Sequence, residues 1–192
     1  MSDIVIKNIS KSFGEKKVLS DFSDVIPCGN LTVIMGESGC GKTTLVNVIM
    51  GLENADSGSI SGVPERISAV FQEDCLCEDF SAISNIRAVT GKAFSKKAIG
   101  DYLKRLGLTD ADISCPVRQL SGGMKRRVAI ARAMIADSDL IIMDEPFKGL
   151  DEDTRRLVID FVLKETKSRT FIAITHDPEE ISLMNTDKVI KM

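Results

Sequence analysis

The chain has 192 residues, enough for one substantial hydrophobic core and too few for two independent domains of ordinary size. A formal net charge of −3 and a hydrophobic content of 43% are those of an ordinary soluble globular domain, so neither a nucleic-acid-binding nor a lipid-embedded class is implied. No apolar run approaches the roughly 20 residues of a membrane span, and five cysteines without a C-x-x-C pair, beside a single histidine, point to reduced thiols and exclude most zinc constellations. Met1-Ser2-Asp3 opens directly into a strand pattern with neither a basic region nor a cleavage site, so a cytosolic protein is expected.

Residues 3–9 and 18–26 read as strands, with Ser12-Phe13-Gly14-Glu15 and Pro27-Cys28-Gly29-Asn30 as their turns, which predicts an antiparallel sheet first. Leu31-Thr32-Val33-Ile34-Met35 has the continuously apolar character of a strand buried on both faces, and Leu45 to Met50 continues as a helix up to Gly51. Between them stands Gly36-Glu37-Ser38-Gly39-Cys40-Gly41-Lys42-Thr43-Thr44, the pattern G-x-x-x-x-G-K-[ST] in its required setting of strand, loop and helix. Its glycines let the backbone curl until several N–H groups face one anion at the positive end of a helix dipole. Lys42 is then expected to reach the β and γ phosphates of a nucleotide, and the Thr43 hydroxyl to ligate the Mg²⁺ that bridges them. Cys40 is expected to pack inertly, although a helix N-terminus and Lys42 both favour a thiolate there.

Asp56-Ser57-Gly58-Ser59 is expected to turn the chain, Ile60 to Val63 to form a brief strand, and Arg66 to Phe71 another that ends at Gln72. From about Ser81 to Val117 the pattern is helical. Ile99, Leu103 and Leu106 fall at i, i+4 and i+7, with Ser95 as a candidate N-cap and Gly107 as a candidate C-cap. Leu120-Ser121-Gly122-Gly123-Met124 opens a further helix that runs through Arg132 to Ala136, and Lys125, Arg126 and Arg127 near its start read as a solvated face. Leu140 to Met143 is a second buried strand and ends in Asp144-Glu145-Pro146. Glu152 to Lys167 is a helix with acidic residues in its first turn and basic ones in its last, which matches its dipole. Thr170 to Thr175 is a third buried strand that ends at His176, Glu179 to Met184 a short helix, and Asp187 to Lys191 a last strand. The class is therefore α/β with a parallel-sheet core, an antiparallel edge and a helical insertion at roughly 75–118, all within one domain.

A nucleoside triphosphatase needs a second acidic element, because Mg²⁺ must be held and a water oriented for in-line attack. Asp144 at a strand tip can bind the metal's water shell, and Glu145 can face the water as general base. In this order the motifs resemble the ATP-binding cassette family, in particular the nucleotide-binding subunits of its transporters, over nearly the whole chain. Gly36 to Thr43 matches the family's Walker A, Gln72 its Q-loop, Leu120 to Gly123 its signature sequence, Leu140 to Glu145 its Walker B, Gly149-Leu150-Asp151 its D-loop and His176 its switch histidine. The resemblance implies a P-loop NTPase fold of RecA-like type, with ATP and Mg²⁺ as cofactors and a head-to-tail dimer. In such a dimer each ATP lies between Gly36 to Thr44 of one subunit and Ser121, Gly122, Gly123 and Asp151 of the other. Lys42, Gln72, Glu145 and His176 are then the catalytic set, and Thr43, Gln72 and Asp144 the metal set.

The residues agree with these roles. Ser121 to Gly123 begin a helix and offer N–H groups and a hydroxyl to an anion. Gln72 is neutral and can present a carbonyl to the metal and an amide to water, and His176 can donate a hydrogen bond to the γ-phosphate. Phe13 matches the family's adenine-stacking aromatic, where Tyr is frequent, and keeps the flat face.

Met124 stands where the family often has Gln, and the segment from Gly51 to Gln72 is short, so a minimal cassette without a regulatory extension is expected. The resemblance also implies integral-membrane permease subunits as partners, a second ATP-binding subunit that is another copy or a similar partner, and a peripheral position on the inner face of the membrane. Cys75 to Phe80 and the following helix are the expected docking region. The subgroup is similar to importers of nitrate, sulfonates and related solutes, and export or lipoprotein release stays open. Cassette ATPases acting on DNA or ribosomes usually carry two cassettes or a coiled-coil insertion, and no heptad run separates Lys42 from Gly122. A small P-loop kinase leaves Leu120 to Gly123 without a purpose.

Overall fold

The computed structural model describes residues 2–166, 168–186 and 188–192. They form two compact units, one of Met1–Ile67, Ser138–Asp144 and Ser168–Met192, the other of Ser68–Asp137 and Glu145–Lys167.

In the first unit, β1 (Ile4–Phe13) and β2 (Lys16–Ile26) form an antiparallel hairpin and β4 (Ser57–Ser61) pairs on the other side of β1. The hairpin is tighter than the sequence suggests. Phe13 is paired with Lys16, so the turn is only Gly14-Glu15 and Phe13 belongs to the strand. The expected turn at 56–59 is also mostly strand, with Ser57 opposite Ser10. Its Ser/Gly composition hides the strand, yet the glycine has a purpose, because a Cβ on Gly58 would lie 2.4 Å from the carbonyl oxygens of Lys7 and Asn8.

Parallel strands β3 (Leu31–Met35), β6 (Leu140–Asp144), β7 (Thr170–Ile174) and β8 (Lys188–Lys191) lie in the order β6-β7-β3-β8. Strand β5 (Ile67–Val70) begins beyond β6, where the Arg66 carbonyl accepts the N–H groups of Asp139 and Leu140. Both β6 and β7 are buried throughout, as expected of parallel strands covered on two faces. Helix α1 (Lys42–Ile49) turns Leu45, Val46 and Ile49 inward, against Ile4, Ile6 and Leu19 of the antiparallel sheet and Ile34, Ile142 and Ile174 of the parallel one. Asp187, expected to start the last strand, and Lys167, expected to end a helix, lie outside the described residues.

The second unit is helical: α2 (Ala82–Thr90), α3 (Lys96–Lys104), α4 (Asp110–Ser114), a 3-10 turn at Val117–Gln119, α5 (Gly122–Ile135) and α6 (Glu152–Glu165). Each of the five α-helices starts on a polar cap, with Ser81, Ser95, Thr109, Ser121 and Asp151 accepting from the N–H of the third helical residue. Ile99, Leu103 and Leu106 are fully buried, as their spacing predicts, and Gly107 ends that helix with a φ of 76° while the Leu108 N–H returns to the Leu103 carbonyl. The short helix α7 (Pro178–Met184) belongs to the first unit. Among the described residues no helix is long and apolar enough to cross a membrane.

Candidate functional site

In the first unit the loop from Gly36 to Gly41 joins β3 to α1. A Cβ on Gly36 would come within 2.7 Å of Cys40 Sγ and of the Met192 carbonyl oxygen, and Gly41 has a φ of 105° with Val18 and Leu19 only 3.0 Å from a Cβ position. The curl therefore requires glycine at both ends, and the half-buried Cys40 packs into the space that Gly36 leaves. Lys42 is 7% exposed and its Nζ donates to the carbonyls of Gly36 (2.8 Å) and Glu37 (2.7 Å), which places the ammonium inside the curl. Thr43, on the first turn of α1, donates from Oγ1 to Asp144 Oδ2 at 2.6 Å, and Asp144 is the buried last residue of β6. Glu37, Ser38, Gly39 and Thr43 are exposed and Thr44 is half-buried, so the mouth of the loop is open to a ligand.

The Thr43–Asp144 pair sets two hard oxygen ligands side by side, a donor set that suits Mg²⁺, which binds through one or two protein oxygens and completes its shell with water and phosphate. Among the described residues no group of three or more His, Cys, Asp or Glu could hold a metal. The pair thus fits a cation that arrives with a nucleotide's phosphates.

Phe13 closes β1 with 49% of its surface exposed, and the Lys11 ammonium lies 5.1 Å from its ring centroid. Lys11 is fixed by Glu53 (2.7 Å) and Asp56 (3.6 Å), and the hydrogen bond to Glu53 chiefly holds its ammonium above the ordinary lysine range. His176 is exposed immediately after Thr175, at the end of the β7 strand. The turn that carries it is tied by the Thr175 hydroxyl, which donates to the buried Glu180 and accepts the Asp177 N–H.

In the second unit, Gln72, Gly122, Gly123, Arg126, Glu145 and Lys148 line a cavity of about 420 Å³. Gln72 is exposed two residues after β5. Ser121 caps α5, its Oγ accepting the Met124 N–H at 3.3 Å, and the N–H groups of Gly122 and Gly123 open the helix. Glu145 has a φ of 46°, in the left-handed region that side-chain-bearing residues adopt only where the surroundings impose it, and its Oε2 accepts from Lys148 Nζ at 2.8 Å. Asp151 serves as N-cap of α6, where it accepts the Thr154 N–H.

The structure thus brings Lys42, Thr43 and Asp144 together in one unit and Gln72, Gly122, Gly123 and Glu145 together in the other. One of the points where the chain passes between the units is the peptide that joins Asp144 to Glu145.

The basic run at 125–127 corrects the sequence reading, because it is not a solvated face. Arg126 is 5% exposed and bonds to the segments that carry Gln72 and Glu145, Arg127 donates to the Leu106 carbonyl at 2.7 Å, and Lys125 to Glu78 at 2.7 Å. Sequence proximity offers no sign of partners so distant along the chain.

A mononucleotide cradle on a parallel sheet, with a carboxylate beside its hydroxyl ligand, defines a P-loop NTPase. The family model described as ABC transporter matches residues 19–148. The aliphatic sulfonates import ATP-binding protein SsuB 1 of Paracoccus denitrificans (strain Pd 1222) is 35% identical over 191 residues, covering 97% of this chain and 78% of that protein. The sulfate/thiosulfate import ATP-binding protein CysA of Yersinia pseudotuberculosis is 35% identical over 210 residues, and the match covers 98% of this chain but 57% of that protein. A solved dimeric structure of MJ0796, a bacterial ABC transporter cassette, superimposes with a TM-score of 0.87 at 27% identity, covering 98% of this chain and 94% of that one. A second structure of the same cassette, in a post-hydrolysis state bound to ADP and Pi, gives 0.86 at 26% identity. The chain belongs to the ABC transporter family and is an ATP-binding, ATP-hydrolysing subunit of that class.

Proposed function

We propose that this chain drives import of a small oxyanion-bearing solute, of the sulfonate or sulfate kind, by closing and opening a head-to-tail homodimer against separately encoded permease subunits. The observation that carries the reading is the Thr43–Asp144 contact of 2.6 Å, which joins the phosphate loop to the acidic strand end that hydrolysis requires. Thr43 and Asp144 would hold Mg²⁺, and the resemblance assigns Gln72 as a further oxygen ligand; the ion would offset the charge that develops on the transferred phosphoryl group.

The loop N–H groups from Glu37 to Thr44 surround the phosphates, and Lys42 exchanges its carbonyl partners for phosphate oxygens. Phe13 stacks on adenine with its exposed face while Lys11 occupies the other. Glu145 accepts the proton of the attacking water at a carboxylate oxygen, His176 donates to the γ-phosphate and Gln72 orients the water. Ser121, Gly122 and Gly123 complete the site of a second copy, with Asp151 at the same interface.

The permease docks beside the Gln72 loop. Phe80 is 55% exposed there, next to Cys75 and Cys77, and Asn85 holds the segment rigid by donating to the carbonyls of Cys77 and Ser81. This placement makes the subunit peripheral on the inner face of the membrane. The narrowing to sulfur oxyanions follows the similarity to ATP-binding proteins of sulfonate and sulfate import.

Glu145→Gln tests the mechanism, because glutamine keeps the shape and cannot take a proton. ATP binding is expected to persist and phosphate release to fall by about 100-fold or more. Wild-type turnover in that variant would sink the role of Glu145. Phosphate release without any added acceptor separates an ATPase from a small-molecule kinase.

A further inference from the structure

Arg126 lies one helical turn beyond Gly122 on α5, and its guanidinium is the junction of three segments. Nε donates to the Pro146 carbonyl at 3.1 Å and Nη2 to the Glu145 carbonyl at 2.7 Å, so one edge of the fork grips two consecutive carbonyls. Nη1 donates to the Phe71 carbonyl at 2.5 Å and to Asp74 Oδ1 at 3.1 Å, with the Gln72 carbonyl at 3.5 Å. Only a planar group with several donors in fixed directions can serve all of these acceptors at once.

The grip fixes the backbone that leaves Glu145. A φ of 46° persists in a residue with a Cβ only when its surroundings over-determine it, and here the two consecutive carbonyls that follow its Cα, those of Glu145 and Pro146, are held by one guanidinium. A buried guanidinium that faces one carboxylate and several carbonyls is also a costly way merely to join segments, since apolar packing commonly serves as well. Its value lies in direction.

We propose that Arg126 is a positioning residue for hydrolysis: its guanidinium sets the Gln72 loop and the Glu145 backbone at a fixed separation. The proton-accepting carboxylate and the water-orienting amide thereby meet the attacking water in register. The proposal rests on the reading of Glu145 as general base.

The test uses the full chain with ATP and Mg²⁺, carrying Arg126→Gln or Arg126→Lys, each alone and combined with Glu145→Gln. Arg126→Gln is expected to lower kcat by about 10- to 100-fold, the loss typical of a reacting group misplaced by an ångström, while ATP affinity stays within about threefold. Arg126→Lys recovers part of the rate. Added to Glu145→Gln, either change lowers the residual turnover by less than about twofold, because the group it positions is already disabled. A purely structural role would instead multiply the two losses.

Turnover of Arg126→Gln within about twofold of the parent, or its full loss recurring on top of Glu145→Gln, overturns the positioning role. If Arg126→Gln does not fold, Arg126→Lys must itself show lowered kcat at unchanged ATP affinity, or the proposal falls. Wild-type turnover of Glu145→Gln alone removes the general-base reading and this proposal with it. A stalled Glu145→Gln beside fully active Arg126 variants removes only the role of Arg126.

Discussion

Lys42 shows how a short loop can set a residue's chemistry. The residue is 7% exposed and its ammonium is held by two loop carbonyls, an arrangement that places a positive charge where phosphate oxygens belong before any arrive. Exchange of carbonyl partners for anionic oxygens gains charge-assisted bonds of roughly 1.5–3 kcal/mol. Lys42→Ala is therefore expected to weaken ATP binding by about 10- to 100-fold, and titration with a fluorescent ATP analogue measures it. Affinity within about twofold of wild type would place the phosphates elsewhere. Lys42, Thr43 and Asp144 were legible in the sequence because each belongs to a short pattern with a local physical reason. Arg126 was not, since three adjacent basic residues look alike until the fold brings the segments at 71–74 and 145–146 to one of them.

The elements that the sequence disclosed best are those with a local rule. The buried strands Leu31–Met35, Leu140–Asp144 and Thr170–Ile174 announce themselves as apolar runs, and the Ile99, Leu103 and Leu106 stripe as a helix. Strand β4 was hidden because Ser57-Gly58-Ser59 has turn composition, and only the close approach of β1 makes it a strand. Caps lie between these extremes. The resemblance places Asp151 at the nucleotide interface, and its carboxylate also caps α6. The Thr154 backbone N–H holds its pKa below the ordinary 3.8, with the Thr154 side chain adding to the effect.

A depressed carboxylate pKa contributes stability that is fully present above the ordinary value and is lost as pH falls through the folded one. Asn caps equally well without titrating. The difference in urea stability between wild type and Asp151→Asn is thus expected to be constant above about pH 5 and to turn against the wild type below the ordinary value of 3.8. A difference that stays constant down to about pH 3 would show that the carboxylate does not act as the cap.

For the whole molecule the informative fact is that two helix starts suit anions. One is the loop at Gly36 to Thr44 with its own lysine, and the other is Ser121 to Gly123, at the head of a 14-residue helix whose first residues Ser121 and Gly122 are exposed. A single nucleotide site per chain needs only the first. The second gains a purpose if it faces the phosphates bound by another copy, the arrangement that the resemblance implies and that the dimeric form of the MJ0796 cassette supports. In the Glu145→Gln background, where nucleotide is retained, ATP is expected to double the mass seen by light scattering. Ser121→Arg in the same background should bind ATP normally, because the loop of the other unit is untouched. It should nevertheless remain monomeric, because a long cation replaces the hydroxyl at the helix start and blocks close approach. Ser121→Ala serves as the control: it loses the cap, worth about 1 kcal/mol, without adding bulk. It should dimerise more weakly than the parent and more strongly than Ser121→Arg. If Ser121→Arg doubles its mass with ATP as readily as its parent, the signature helix does not face the second nucleotide, and the dimer must be built on another surface.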